Sequence, residues 1–162
     1  MRLTKSATPV FLLLALSGCA TATGTSYTTS TASRMLDPSE AKIVVFKEIA
    51  GGNRVFVNGS QQADLKGNGF LILSAKTPQL VLTVDAGAGT VGECRLTKQI
   101  EASKTYYFEV LQSGSFVGAS LFGILGQAIH SSRGDCGGAY ELKELPSGQA
   151  LPRLEKLKNS AG

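Results

Sequence analysis

The feature that most constrains the fold is a succession of short apolar stretches between Ala41 and Leu145, each ended by a turn signal. The clearest turn is Asn58-Gly59, because both central residues of a type I′ hairpin need positive φ and this dipeptide adopts it readily. The stretches do not alternate with helical patterns, as they would in a parallel α/β domain. The sequence therefore predicts an all-β domain over residues 41–145, a small antiparallel sandwich or barrel of about seven to eight strands.

Individual strands are predicted from period-two alternation and from β-branched and aromatic content. They are 42–46, 54–57, 62–66, 70–73, 80–84, 94–100, 105–110 and 139–142. The first is apolar on both faces, which is typical of a central strand. In the later strands the carboxylates fall opposite apolar residues, which predicts a solvated sheet face and not an acid/base pair. These carboxylates are Glu93, Glu101, Glu109 and Glu141.

Two segments flank the predicted domain. Residues 19–40 are rich in Ser, Thr and Ala with no apolar period, which predicts a flexible tether with an end-to-end distance of roughly 25 Å. In the tail 146–162, Ala150, Leu154 and Leu157 share one helical face and Pro152 lies near its start, which predicts a C-terminal helix.

The N-terminal residues have the layout of a secretory signal. Arg2 and Lys5 precede an apolar core, Val10 to Leu16, that is too short to span a bilayer. Leu16-Ser17-Gly18-Cys19 then resembles a lipobox, the motif recognised in the maturation of bacterial lipoproteins. The resemblance implies a signal peptide over 1–18 and a membrane anchor of thioether-linked diacylglycerol and palmitate on Cys19. The alternative is an ordinary signal peptide with a chance cysteine, or a buried helix.

The residue after the lipobox cysteine bears on the destination. Ala20 is not aspartate, which resembles lipoproteins released to the outer membrane. In an organism with two membranes we therefore expect a lipid-anchored protein on the periplasmic face of the cell outer membrane. Otherwise we expect the outer face of the cytoplasmic membrane.

Charge and cysteine usage restrict the partners. Without Arg2 and Lys5 the chain carries 14 basic and 12 acidic residues, and no basic run is interleaved with aromatic residues, so no nucleic-acid partner is expected. Once Cys19 is acylated, Cys94 and Cys136 remain in an oxidising compartment, where a structural disulfide is favoured over two free thiols. With no Cys-x-x-Cys and one histidine, the sequence predicts neither a metal site nor a cofactor.

An uncharged run from Val110 to Ser132 interrupts the late strands and contains the apolar insertion 113–132. Three interpretations stay open: a buried helix or loop covering one mouth of the sandwich, an exposed interaction surface, or a membrane span. Its repeated Gly and Ser make a poor span, although its length is sufficient. The interaction hypothesis places a protein partner, self-association or membrane apposition on residues 114–129. The residues concerned are Phe116, Val117, Leu121, Phe122 and Leu125.

Residues 41–112 resemble the bacterial lipoprotein family catalogued as domain of unknown function 2846. The shared features are the aliphatic strand Ile43-Val-Val-Phe46, the hairpin Val55-Phe-Val-Asn-Gly59, the strand entry Gly67-Asn-Gly-Phe70 and the late strand Tyr106-Tyr-Phe108. Where family members often carry Pro-Gly before the fifth strand, this chain has Pro78-Gln79. The resemblance implies an all-β domain and no established activity.

Catalytic motifs are not found. His130 has Ser131, Ser132 and Asp135 nearby, but no motif joins them into a nucleophile, base and orienting acid, so a surface or loop histidine is expected. The Gly-rich stretch 85–90 lacks the Lys and helix of a phosphate loop and is interpreted as a turn. The sequence favours a non-catalytic binding or structural module. The alternative is an envelope hydrolase whose site is assembled from loops.

Overall fold

The computed structural model describes residues 21–32, 37–76, 78–86, 92–114, 136 and 139–161. Its helices are α1 (Tyr27–Ala32) and α2 (Ser147–Leu154). Its strands are β1 (Glu40–Lys47), β2 (Asn53–Val57), β3 (Ser60–Leu65), β4 (Gly69–Lys76), β5 (Gln79–Ala86), β6 (Glu93–Gln99), β7 (Thr105–Gln112), β8 (Tyr140–Leu145) and β9 (Lys158–Asn159).

The strands form two sheets, which confirms the predicted all-β sandwich. One sheet has five strands in the order β8-β7-β1-β4-β9, and the other has four in the order β3-β2-β5-β6. The chain crosses to the four-stranded sheet for β2 and β3, returns for β4, crosses again for β5 and β6, and returns for β7. Residues distant in sequence therefore meet across the core. The eight predicted strands all correspond to strands of the structure. The two-residue β9 is too short to show a period in the sequence.

The sandwich also contains two parallel strand pairs, which the sequence did not predict. β1 pairs with β4 in the antiparallel sense, but it pairs with β7 in the parallel sense, and β4 pairs with β9 in the parallel sense as well. A parallel pair needs a long crossover. Here β2 to β6 supply that crossover between β1 and β7, which sequence periodicity cannot reveal.

The turn between β2 and β3 has the predicted geometry. Asn58 has φ +50° and Gly59 has φ +80°, as both central residues of a type I′ turn require. The side-chain oxygen of Asn58 also accepts a hydrogen bond from the backbone N–H of Val81 at 2.8 Å. This bond ties the hairpin to β5 and helps to fix the register of the four-stranded sheet.

The main core lies between the two sheets. Odd-numbered residues of β1 meet the inward residues of β2 and β5, as period-two alternation dictates. Burying each larger side chain contributes roughly 1.5–3 kcal/mol relative to leaving it exposed. The fully buried members include Ile43, Val45, Val55, Leu65, Leu80, Leu82, Val84 and Phe108.

A second core covers the outer face of the five-stranded sheet. Val44 and Phe46 of β1 point to this face, which explains why the strand is apolar on both sides. The C-terminal helix α2 packs here through Ala150 and Leu154, and Leu157 is buried just beyond its end. The predicted helix and its apolar face are thus confirmed, but the helix ends at Leu154, before Leu157, and Pro152 lies inside it and not near its start.

The predicted flexible tether over 19–40 is wrong for residues 21–32. Ala22 is 5% exposed and Tyr27 is 8% exposed, and the ring of Tyr27 contacts Phe70 edge to face at 5.4 Å between centroids. The Ser and Thr content of the segment indicated a linker, because a single buried tyrosine gives no apolar period. The segment is a strap across the second core and belongs to the domain.

The two ends of the sandwich carry different loops. At the Lys47 end, β1 and β7 finish and β2, β4, β6 and β8 begin. At the opposite end, called the Asn58 end, lie the β2–β3 turn and the loop before β7. Strands of eight residues separate the ends by about 25 Å.

Candidate functional site

Several chain segments for which the sequence makes functional predictions lie next to one another at the Lys47 end. Thr21 forms an isolated bridge with Gly67, which follows β3 at this end. Gly114 follows β7 here, and Cys136 bridges to Cys94 at the start of β6. The N-terminal segment and both flanks of residues 115–135 therefore meet at one end of the sandwich.

The predicted cysteine pair is confirmed at bonding distance. Cys94 and Cys136 form a disulfide with a Cα–Cα separation of 3.9 Å and a sequence separation of 42. Cys94 is buried on the inner face of β6, while the neighbouring Glu93 is exposed. The bond fixes the chain that returns toward β8 to the edge of the four-stranded sheet.

Lys47 is a fully buried amine between the sheets at this end. Its Nζ donates a hydrogen bond to Oδ1 of Asn53 at 2.5 Å, and Nδ2 of Asn53 donates to the backbone carbonyl of Asp85 at 3.1 Å. The amine also lies 5.2 Å from the ring centroid of Tyr140. Within the described residues it forms no ion pair with a carboxylate.

Burial lowers the pKa of Lys47 to about 8, because the charged form loses its hydration. Such an amine loses its proton near pH 8 instead of above pH 10, which is a property that it shares with catalytic lysines. Here the nitrogen is bonded to Asn53 and the side chain is closed off from solvent. The arrangement links the ends of β1, β2 and β5 through hydrogen bonds.

A second polar cluster lies where α2 crosses the five-stranded sheet. The Arg153 guanidinium donates from Nη1 to Oε2 of Glu109 at 2.8 Å and from Nη2 to the other oxygen of that carboxylate. Its Nε and Nη2 each donate to Glu48 at 3.0 Å. The hydrogen bonds and charge of Arg153 lower the pKa of the Glu48 carboxyl. The guanidinium also lies over the ring of Phe46 at 5.4 Å.

This cluster corrects the interpretation of one carboxylate. Glu93, Glu101 and Glu141 are exposed as predicted, but Glu109 is 3% exposed. Its strand face is covered by α2, so the carboxylate is buried against Arg153 instead of solvated. The sequence of the tail contained a signal for this burial, because an amphipathic helix must cover a second sheet face.

An open groove of about 500 Å³ lies on the outer face of the four-stranded sheet. Its lining exposes polar and apolar surface in equal parts, with one positive charge from Arg95 and one aliphatic side chain from Val81. The other lining residues are Asn58, Gly59, Gln79 and Thr83. The groove presents hydrogen-bonding groups without a titratable acid/base pair among its lining residues.

Several predicted site residues lie outside the described residues. They are the lipidation residue Cys19, the interaction residues Phe116, Val117, Leu121, Phe122 and Leu125, and His130 with Ser131, Ser132 and Asp135. In the part of the chain that is described, no three His, Cys, Asp or Glu side chains come together as metal ligands. No described helix is both long and apolar enough to cross a bilayer.

Sequence reasoning missed Lys47, Asn53 and Arg153. For Lys47 a signal existed, because the period of β1 places residues 43, 45 and 47 on the same inward face. In comparisons with known proteins, no protein-family model, no curated protein sequence and no solved structure matches this chain. The resemblance to the lipoprotein family therefore stays a prediction.

Proposed function

We propose that this chain is a lipid-anchored protein of the bacterial cell envelope that acts as a non-catalytic binding or structural module. The observation that carries the proposal is Leu16-Ser17-Gly18-Cys19 behind a short cationic and apolar leader. The thiol accepts the diacylglycerol, and the small residues before it admit the peptidase. Two or three acyl chains give stable anchoring, whereas a single chain is marginal.

The folded domain supports export to an oxidising compartment. A disulfide such as Cys94–Cys136 forms and persists outside the cytosol, where thiols are not kept reduced. Ala20 after the cysteine favours the periplasmic face of the outer membrane in an organism with two membranes.

The polar groups buried in the described residues favour a module over a hydrolase with a loop-assembled site. Lys47 is bonded to Asn53, and Glu109 is bonded to Arg153. Both groups are occupied by hydrogen bonds between elements, and neither is open to a substrate. The groove around Arg95 is a surface on which a neutral or acidic ligand would bind through hydrogen bonds.

Acylation of Cys19 is the decisive test of this proposal. In cells fed radiolabelled palmitate, the natural chain should be labelled and recovered with membranes, and Cys19→Ala should be unlabelled and remain a precursor or a soluble protein. Ser17→Ala is the matched control, because it keeps a small residue before the cysteine and should be labelled normally. Label that persists in Cys19→Ala contradicts the proposal.

Residues 114–129 are proposed as the contact with a protein partner or a second copy. The motivation is their lack of charge beside a sheet whose exposed residues are well charged. Leu121→Asp with Leu125→Asp should abolish association, measured by sedimentation of detergent-solubilised protein, with the fold intact by circular dichroism. Leu151→Asp, at an exposed leucine of α2, is the control and should leave association unchanged. Unfolding of the double variant would mean that the segment is core.

A further inference from the structure

The outer faces of the two sheets differ in what covers them. The strap and α2 lie on the five-stranded sheet, where Tyr27, Ala150 and Leu154 are buried in the second core. The four-stranded sheet carries the open groove of about 500 Å³ on its outer face. This volume is within the range of small-molecule binding sites.

Phe56 places an aromatic ring on the same outer face. It alternates along β2 with Val55 and Val57, whose side chains are buried in the main core, so the ring points away from that core. Phe56 pairs directly with Thr83, which lines the groove. Directly paired residues bring their Cβ atoms within about 4.5–5.5 Å of each other. The ring is half-buried and packs in neither core of the described residues.

Thr83 supplies the groove with an unused hydroxyl. The residue is 8% exposed, and within the described residues its hydroxyl has no hydrogen-bond partner. Every fully enclosed side-chain oxygen in the described chain does have a partner, so the Thr83 hydroxyl is open to the groove. A hydroxyl held in a largely buried position without a partner is available to a ligand that can donate or accept.

Two side-chain amides line the groove toward the Asn58 end. Oδ1 of Asn58 accepts the hydrogen bond from Val81, while its Nδ2 forms none within the described residues. The amide of Gln79 is exposed and likewise forms no hydrogen bond there. An amide offers both donors and an acceptor. Val81 adds an aliphatic contact in the same groove.

The charges at the groove favour an uncharged ligand. Arg95 is the one charged residue of the lining, and its Nη2 donates to Oε1 of Glu93 at 2.9 Å, so its charge is compensated. A cation would need a carboxylate, and the lining residues include none. An anion would have to compete with Glu93 for the guanidinium.

The backbone beneath the groove does not favour a peptide strand. Thr83 and Arg95 are direct partners in the ladder between β5 and β6, so the main-chain groups of both strands are already paired along the groove. A peptide that adds to a sheet binds through unpaired main-chain groups at an edge strand. The available groups of the groove are side-chain amides, a hydroxyl and an aromatic face.

We propose that this groove, together with Phe56, binds an uncharged saccharide chain that bears acetamido groups. The C–H face of a sugar ring stacks on the electron-rich face of Phe56. Sugar hydroxyls both donate and accept, as Thr83 and Gln79 do. An acetamido group accepts from the Asn58 amide through its carbonyl and contacts Val81 through its methyl. The inference rests on the binding module proposed above and names its ligand class.

Calorimetric titration of the full chain, purified from membranes in detergent, with the linear tetramer of N-acetylglucosamine tests this assignment. Saturable binding with a Kd below about 1 mM is expected. Cellotetraose has the same linkage and length without acetamido groups and should bind on the order of 10-fold more weakly, because it loses a hydrogen bond and a methyl contact. The absence of saturable binding of the acetylated tetramer, or equal binding of both sugars, overturns the proposal.

Substitutions locate the binding site. Phe56→Ala should weaken binding of the acetylated tetramer on the order of 10-fold by removing the stacking surface. Thr83→Val and Gln79→Ala should each weaken it about fivefold by removing one hydrogen bond. The controls on the other sheet are Leu151→Ala, at an exposed leucine, and Thr105→Val, at an exposed threonine, and both should bind normally.

Urea unfolding of each variant shows whether the fold is kept, and Gln79→Ala changes an exposed side chain, so its midpoint should equal that of the natural chain. Equal affinities of the groove variants and the controls would place the saccharide elsewhere and overturn the proposal. The mass of Cys19 in the same sample separates the two proposals. A lipid-bearing chain that does not bind the tetramer overturns saccharide binding alone, and a chain that binds it without a lipid on Cys19 overturns the anchor alone.

Discussion

Raising the pH from about 7 to about 10 should stabilise the folded chain through Lys47. Burial lowers the pKa of this amine from 10.5 to about 8, so the unfolded chain binds the proton more tightly than the folded chain does. Stability rises with pH wherever the unfolded state binds more protons. The gain therefore begins near the folded pKa, is complete above the unfolded value, and is lost as the pH falls through 8.

The expected size follows from the width of this window. One unit of pKa difference corresponds to about 1.4 kcal/mol, so a separation of 2.5 units between 10.5 and about 8 gives at most ~3.5 kcal/mol. Most of it, roughly 2–3 kcal/mol, should appear between pH 7 and pH 10. The Tyr107 phenol, whose pKa burial raises to about 12, stays protonated in this range.

Urea unfolding of the mature chain with Cys19→Ser, followed by circular dichroism at several pH values, measures the effect. Lys47→Met removes the titrating group while keeping a side chain of similar length, so its stability should lack the rise. Lys42→Met, at a half-buried position of the same strand, is the control and should keep the rise. Parallel pH profiles for the natural chain and Lys47→Met would refute the reasoning.

Two further substitutions test packing and cross-linking. Arg153→Met should lower the free energy of unfolding by about 3 kcal/mol, because it leaves Glu109 buried without its charge partner. The control Arg54→Met removes an exposed ion pair and should lower it by less than about 1 kcal/mol. Equal losses in the two variants would contradict the role of α2. Replacing both Cys94 and Cys136 with Ser should cost about 2–4 kcal/mol by restoring freedom to the unfolded chain. An unchanged urea midpoint would contradict that contribution.

Much of the fold could be predicted because strand periodicity is a local signal. The alternation around Cys94 determines which side chains of β6 face the core, and the Asn58-Gly59 dipeptide determines the hairpin turn. The structure has the expected faces and the expected turn. Strand order is a different matter. The parallel pairing of β1 with β7 joins residues about sixty apart in sequence, and nothing in either strand indicates it.

The site was harder to predict because its residues act through tertiary contacts. Glu109 has the local pattern of a solvated carboxylate, and only the position of α2 makes it buried. The strap 21–32 has the composition of a linker, but Tyr27 and the backbone bonds of Ala22 and Gly24 fix it to the sheet. Composition reports average behaviour, and one buried aromatic side chain with a few backbone bonds outweighs it.

The central claim is that Cys19 carries a lipid and becomes the first residue of the mature chain. Intact-mass and tandem mass spectrometry of the full chain, purified from bacterial membranes in detergent, tests this most directly. The expected N-terminal peptide begins at Cys19 and carries the mass of a thioether-linked diacylglycerol, with or without an N-acyl chain. An N-terminal peptide with an unmodified Cys19, or one that begins at another residue, would contradict the claim.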